Sequence, residues 1–228
     1  MGAATAPRVK VCCIASVEEA AAAVRLGASA LGLVSEMPSG PGVIPEELIA
    51  EIAATVPPGV ATFLLTCSQD PARLVAQQRR CRTNTVQICD RLDPRGYAVL
   101  REAMPGVGLV QVVHVTGEES VREAVEVAPH VDAIVLDSGN QSLPVKELGG
   151  TGRVHDWALS RRIRESARAP VYLAGGLRPE NVAEAVRRVA PFGLDLCSGV
   201  RTGGRLDEAK LAAFFAALRA ETDHEDHE

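Results

Sequence analysis

Eight times along the chain a short apolar run gives way to a helix-like stretch, and this alternation limits the fold more than any other feature. The runs are continuously apolar and do not alternate, as expected when both faces of a parallel sheet are covered. Strands are predicted over 8–14, 30–34, 60–65, 85–89, 108–115, 133–137, 170–174 and 193–197. Helices are predicted over 16–27, 45–55, 70–81, 93–104, 117–127, 156–167, 179–189 and 207–219, several opening on a capping residue such as Ser16, Asp70 or Asp156. The acidic stretch 221–228 carries no apolar period and reads as a frayed tail.

Eight such units in 228 residues is 28.5 residues each, close to the ~30 of a minimal βαβ repeat, so all of 1–228 reads as one domain. The simplest closure is a single (β/α)8 TIM barrel. A doubly wound open sheet uses the same units, but it more often carries a glycine fingerprint after the first strand, where this chain has Cys12-Cys13.

Composition narrows the partners. The net charge is −5 and only 3% of residues are aromatic, which provides neither the basic footprint nor the stacking surfaces of a nucleic-acid binder. Charge, Gly or Pro interrupts every apolar run before membrane-spanning length. The first eight residues lack an apolar segment of signal-peptide type, and the six cysteines form no CxxC pair; both features fit a cytoplasmic protein with reduced thiols. A monomer and a homodimer are equally compatible with the apolar helix faces.

In a barrel of this type, chemistry sits on the loops at the C-terminal ends of the strands. Those ends are Cys12 or Cys13, Ser35, Thr66, Cys89-Asp90, His114, Asp137, Gly175-Gly176 and Ser198-Gly199. The last two are glycine turns before helical segments, where exposed N–H groups suit an anion. With Gly150 and Gly152 in the loop after strand six, they point to a phosphorylated ligand held by Gly150, Gly152, Gly175, Gly176, Ser198 and Gly199. Cys12, Cys89, Cys197 and His114 end near the same rim, but they lie singly on four strands without short ligand spacing, and no metal site is expected.

At these positions the chain resembles the phosphoribosylanthranilate isomerases of tryptophan biosynthesis. Lys10-Val-Cys-Cys-Ile14 is similar to that family's KICGI strand, and Val86-Gln-Ile-Cys89 to its VQLH. Leu136-Asp-Ser138, Gly149-Gly-Thr-Gly152 and Asp156-Trp157 resemble its LLD, GGTG and DW segments. Leu173-Ala-Gly-Gly-Leu177, Pro179-Glu-Asn-Val182 and Leu194-Asp-Leu-Cys-Ser-Gly-Val200 resemble LAGGL, PENV and VDVSSGV.

The resemblance implies an Amadori rearrangement of N-(5-phosphoribosyl)anthranilate without a cofactor, with Asp137 as general acid and Cys12 as general base. Burial at the end of an apolar strand favours the neutral, proton-donating form of an Asp at position 137. Cys12 acts as a base only as thiolate, and Lys10, two residues earlier on the same face, is the candidate cation to promote it. Lys10, Gln87, Cys89 and Arg153 are also candidates for substrate contact. Cys13 is expected to point outward as a small core residue.

Three departures stand out. Cys13 replaces the KICG glycine, and Cys89-Asp90 replaces the His-Gly of VQLHG. The family also carries a carboxylate-binding Arg in the loop after strand two, where this chain has Pro41 or a neighbour and no basic residue between Ser35 and Val43. Either Arg153 or Arg91 reaches in, or the ligand lacks that carboxylate. The alternatives to the isomerase are a divergent paralogue acting on another phosphorylated sugar amine and a non-catalytic barrel that binds a phosphometabolite.

Overall fold

The computed structural model describes the backbone of residues 6–225 and the side chains of 6–221. Strands β1 (Arg8–Val11), β2 (Ala30–Val34), β3 (Ala61–Thr66), β4 (Thr85–Ile88), β5 (Gly108–His114), β6 (Ala133–Asp137), β7 (Val171–Leu173) and β8 (Gly193–Leu196) pair in chain order into a closed parallel barrel. The seam between β1 and β8 sets Lys10 opposite Asp195 and Val11 opposite Leu196.

The continuous apolar strands fill two layers. Val9, Val11, Leu31, Leu33, Ile134 and Leu136 face the helices. Their neighbours Ala30, Val34, Val110, Val112, Ala133 and Val135 fill the barrel interior. Strand side chains alternate between faces, so a single apolar run supplies both layers.

Helices α1 (Val17–Leu26), α2 (Glu46–Thr55), α3 (Pro71–Cys81), α4 (Pro94–Ala103), α5 (Glu118–Val127), α6 (Trp157–Ser166), α7 (Val182–Val189) and α8 (Glu208–Glu225) cover the barrel. Asp70, Asp93 and Asp156 cap α3, α4 and α6 by accepting from the backbone N–H of Ala72, Arg95 and Ala158 at 2.9, 2.9 and 2.8 Å.

Three elements differ from the sequence expectation. Strand β1 stops at Val11, not at residue 14, because Cys13 adopts a left-handed φ of 62° that no strand accommodates. The last helix continues to Glu225, past the expected end at 219: Glu221 is buried and accepts from Arg187 on α7 at 2.5 Å. That ion pair supplies the anchor that the acidic sequence lacks; residues 226–228 of the expected tail lie outside the described residues. Arg201–Thr202 and Arg205–Leu206 form a small antiparallel hairpin after β8 that was not anticipated. No helix among the described residues is long and apolar enough to cross a membrane.

Candidate active site

The C-terminal ends of the strands surround a cavity. Cys12, Gln87, Cys89, Asp137, Gly150, Gly152, Gly175, Gly176 and Ser198, all singled out from the sequence, line it. Gly199, also expected there, is not among the lining residues and packs against the Leu177 carbonyl.

Asp137 closes β6 and is buried at the cavity wall. Its Oδ1 accepts from the Ser138 backbone N–H at 2.6 Å and from Ser138 Oγ at 3.3 Å, and Ser138 Oγ lies 2.5 Å from Thr151 Oγ1. The loop after β6 folds directly over the other oxygen: a Cβ on Gly149 would sit 2.7 Å from Asp137 Oδ2. Only a residue without a side chain lets that loop approach the carboxyl so closely. Oδ1 is thus fixed by the protein, and Oδ2 carries none of these bonds.

Cys12 follows β1 on the interior face, above Lys10. Gly32 on β2 leaves a gap in which a Cβ would lie 2.7 Å from Cys12 Sγ and 3.1 Å from Lys10 Nζ, so thiol and ammonium flank the same space. Lys10 is fully buried and donates to Asp195 Oδ2 at 2.6 Å. Burial alone pulls a lysine pKa down, but Asp195, with Cys12 adding, outweighs it and holds Lys10 above its ordinary value. Lys10 therefore stays protonated beneath Cys12. Against the expectation that it touches substrate, it does not line the cavity.

Arg201, in the hairpin after β8, fixes the backbone of this segment. Its Nη2 donates to the carbonyls of Cys12, at 3.1 Å, and Cys13, and the guanidinium pairs with Glu19 of α1 at 3.3 Å. No local signal linked residue 201 to residue 12, because the contact closes across the whole chain.

Cys13 corrects an expectation. It does not point outward into the core but lines the cavity, with its Sγ 2.9 Å from Cys197 Sγ. The left-handed turn at Cys13 ends the strand alternation on which the outward assignment rested.

Three glycine loops meet on the other side of the cavity. A Cβ on Gly152 would lie 3.2 Å from Ser198 Oγ, one on Gly176 3.0 Å from the Gly152 carbonyl, and one on Gly199 1.9 Å from the Leu177 carbonyl. Gly150, Gly152, Gly175 and Gly176 all have positive φ. The arrangement brings backbone from the loops after β6, β7 and β8 to one place, the geometry that turns peptide groups toward an anion.

Arg153 does not reach the cavity: it is exposed, paired with Glu147, and donates to the Ser138 carbonyl at 3.4 Å. Arg91 points to Glu123 at 3.5 Å. Neither replaces a carboxylate-binding Arg in this structure. The loop after β2 instead offers Met37, Ser39, Gly40 and Pro41, and no aromatic side chain is among the lining residues. Burial, with Cys12 adding, raises the Cys89 thiol. His114 turns to the Cys89 carbonyl at 3.2 Å, and among the described residues no three His, Cys, Asp or Glu side chains are grouped to hold a metal ion.

Residues 9–217 match the family model described as N-(5'-phosphoribosyl)anthranilate (PRA) isomerase. The chain belongs to the phosphoribosylanthranilate isomerase family. The Haloferax volcanii protein named N-(5'-phosphoribosyl)anthranilate isomerase is 40% identical over 227 residues, covering 96% of this chain and 98% of its own. The solved phosphoribosyl anthranilate isomerase of Thermotoga maritima superposes with a TM-score of 0.79 at 27% identity, covering 94% of this chain and 99% of that one. A phosphoribosyl anthranilate isomerase in complex with reduced 1-(o-carboxyphenylamino)-1-deoxyribulose 5-phosphate gives 0.78 at 26% identity, again covering 94% and 99%.

The left-handed backbone at Cys13 is costly for any residue with a Cβ, and it turns a thiol into the cavity.

His155, at the start of α6, carries a pH dependence. Its Nε2 lies 2.7 Å from Ser160 Oγ, its Nδ1 is buried without a partner, and burial lowers its pKa from 6.5 to about 4, with Asp137 opposing. Between those values the unfolded chain binds the proton and the folded chain does not, so stability falls as pH drops from 6.5 towards 4. The expected loss from this group is about 3 kcal/mol. Melting curves across that range should flatten in His155→Gln; an unchanged slope would assign the acid sensitivity elsewhere.

Proposed function

We propose that Asp137 and Cys12 catalyse the Amadori rearrangement of N-(5'-phosphoribosyl)anthranilate as general acid and general base, serving tryptophan biosynthesis. The observation that carries this reading is the convergence of Asp137, Cys12 and the glycine turns on one cavity.

The steps follow from the positions of the groups. Asp137, through Oδ2, protonates the furanose ring oxygen, and the C1–O bond opens to a Schiff base. Cys12 as thiolate then removes the C2 proton, giving the enolamine, which tautomerises to the ketose. No cofactor enters this sequence. Lys10 lies beneath Cys12, and Arg201 holds the Cys12 backbone in place. The phosphate is held by backbone at Gly150, Gly152, Gly175, Gly176, Ser198 and Gly199, with Gly199 allowing the turn to pack on Leu177. Gln87 and Cys89 line the floor on the sugar side, and the aryl ring lies against Met37, Leu65 and Leu148. This arrangement is complete within one chain, so a monomer and a homodimer would both be competent. A reducing cytoplasm, which keeps the Cys12 thiol free, fits the mechanism.

The loop after β2, with no basic residue, favours a second reading, in which a related phosphorylated sugar amine without the carboxylate is turned over. Complementation separates the two. The gene is expected to restore growth without tryptophan to a strain lacking the isomerase, and Cys12→Ser to abolish that growth. No rescue by well-expressed protein would favour the second reading or a binding barrel.

A further inference from the structure

Four of the six cysteines, Cys12, Cys13, Cys89 and Cys197, line the same cavity. The proposed chemistry uses Cys12 and leaves Cys13 and Cys197 without a task. Their Sγ atoms, 2.9 Å apart, are inside van der Waals contact. They sit where two hydrogen-bonded strands end: Val11 is in register with Leu196, and the Cys12 N–H donates to the Leu196 carbonyl at 2.7 Å.

The two thiols differ in reactivity. A hydrogen bond from Cys13 holds Cys197 below its ordinary pKa against burial, with Arg201 helping. Hydrogen bonding to Cys12 and Cys197, and then burial, push Cys13 up. Both line the cavity, Cys197 half-buried and Cys13 buried, so Cys197 is the more accessible of the two.

We propose that Cys13 and Cys197 are a reversible redox pair that closes into a disulfide with a low-molecular-weight disulfide as oxidant and slows turnover at the neighbouring site. Cys197 thiolate attacks one sulfur of the oxidant, forming a mixed disulfide and expelling one thiolate. Cys13 loses its proton and attacks the Cys197 sulfur, expelling the second thiolate. One small disulfide is reduced to two thiols and the protein pair is oxidised by two electrons. Closure moves Cys13 Sγ, which otherwise lies 3.6 Å from the Pro41 carbonyl in the loop after β2. It also ties the segment carrying Cys12 to the turn carrying Ser198, so both ends of the proposed substrate site are affected.

The effect on turnover rests on the isomerase reading; the cross-link does not. The test incubates the purified full chain with oxidised glutathione, alkylates the remaining thiols and maps the peptides by mass. The expected product is a Cys13–Cys197 cross-link lighter by two hydrogens, present in Cys12→Ser and absent from Cys13→Ser and Cys197→Ser. The oxidised protein should melt about 5 °C higher or more, and its activity should fall at least fivefold, with dithiothreitol reversing both. A cross-link through Cys12, or only mixed disulfides with glutathione, overturns the pair. A cross-link without loss of activity overturns its control of turnover. An inactive reduced protein that still forms the cross-link would instead count against the isomerase reading.

Discussion

Asp137→Asn is expected to lower kcat/KM for phosphoribosylanthranilate by about 10³-fold or more, near the upper range for loss of a positioned general acid. An amide keeps the shape of the side chain, and its oxygen can still accept from the Ser138 N–H that Asp137 Oδ1 engages at 2.6 Å. What it loses is the proton delivered to the ring oxygen. The loss should therefore appear in kcat, with the affinity for a phosphorylated product analogue within a few fold of wild type and the melting temperature little changed. Equal losses in binding and kcat would indicate that Asp137 positions substrate without donating a proton.

The second large effect concerns stability. Lys10→Met leaves Asp195 buried without its cation, and Asp195 Oδ1 already has no hydrogen-bond partner. Removing one member of a buried pair costs about 3–5 kcal/mol, because the remaining charge is uncompensated. Burial already raises Asp195 above the ordinary carboxylate range with Lys10 in place, and loss of Lys10 should raise it further. A folded-state pKa above the unfolded one contributes stability that is present at low pH and lost as pH rises. The variant should thus be closer to wild type at pH 5 than at pH 8 in denaturant titrations. Lys10→Met/Asp195→Leu should recover much of the loss, since an apolar replacement of both partners is often neutral. A single variant that loses less than about 1 kcal/mol would contradict the pairing.

The barrel was legible because its strands are continuous apolar runs at nearly equal spacing, a pattern a doubly covered parallel sheet requires. Asp137 was legible for the same reason, as the polar residue that ends such a run. Cys13 was not: strand parity sends it outward, and only its left-handed backbone reverses that. Arg201 was invisible because its partners, Glu19 and the carbonyls at 12 and 13, lie at the other end of the chain. The extension of α8 depends on Arg187 meeting Glu221, a contact between helices that periodicity does not encode. Arg153 was a candidate for substrate contact, but in the structure it pairs with Glu147 six residues earlier.

The most direct measurement is conversion of phosphoribosylanthranilate, generated in situ, by the purified reduced protein, with the product identified by chromatography against authentic carboxyphenylamino deoxyribulose phosphate. Protein-dependent conversion that vanishes in Asp137→Asn is the expected result. A folded, reduced protein that leaves the substrate untouched would contradict it.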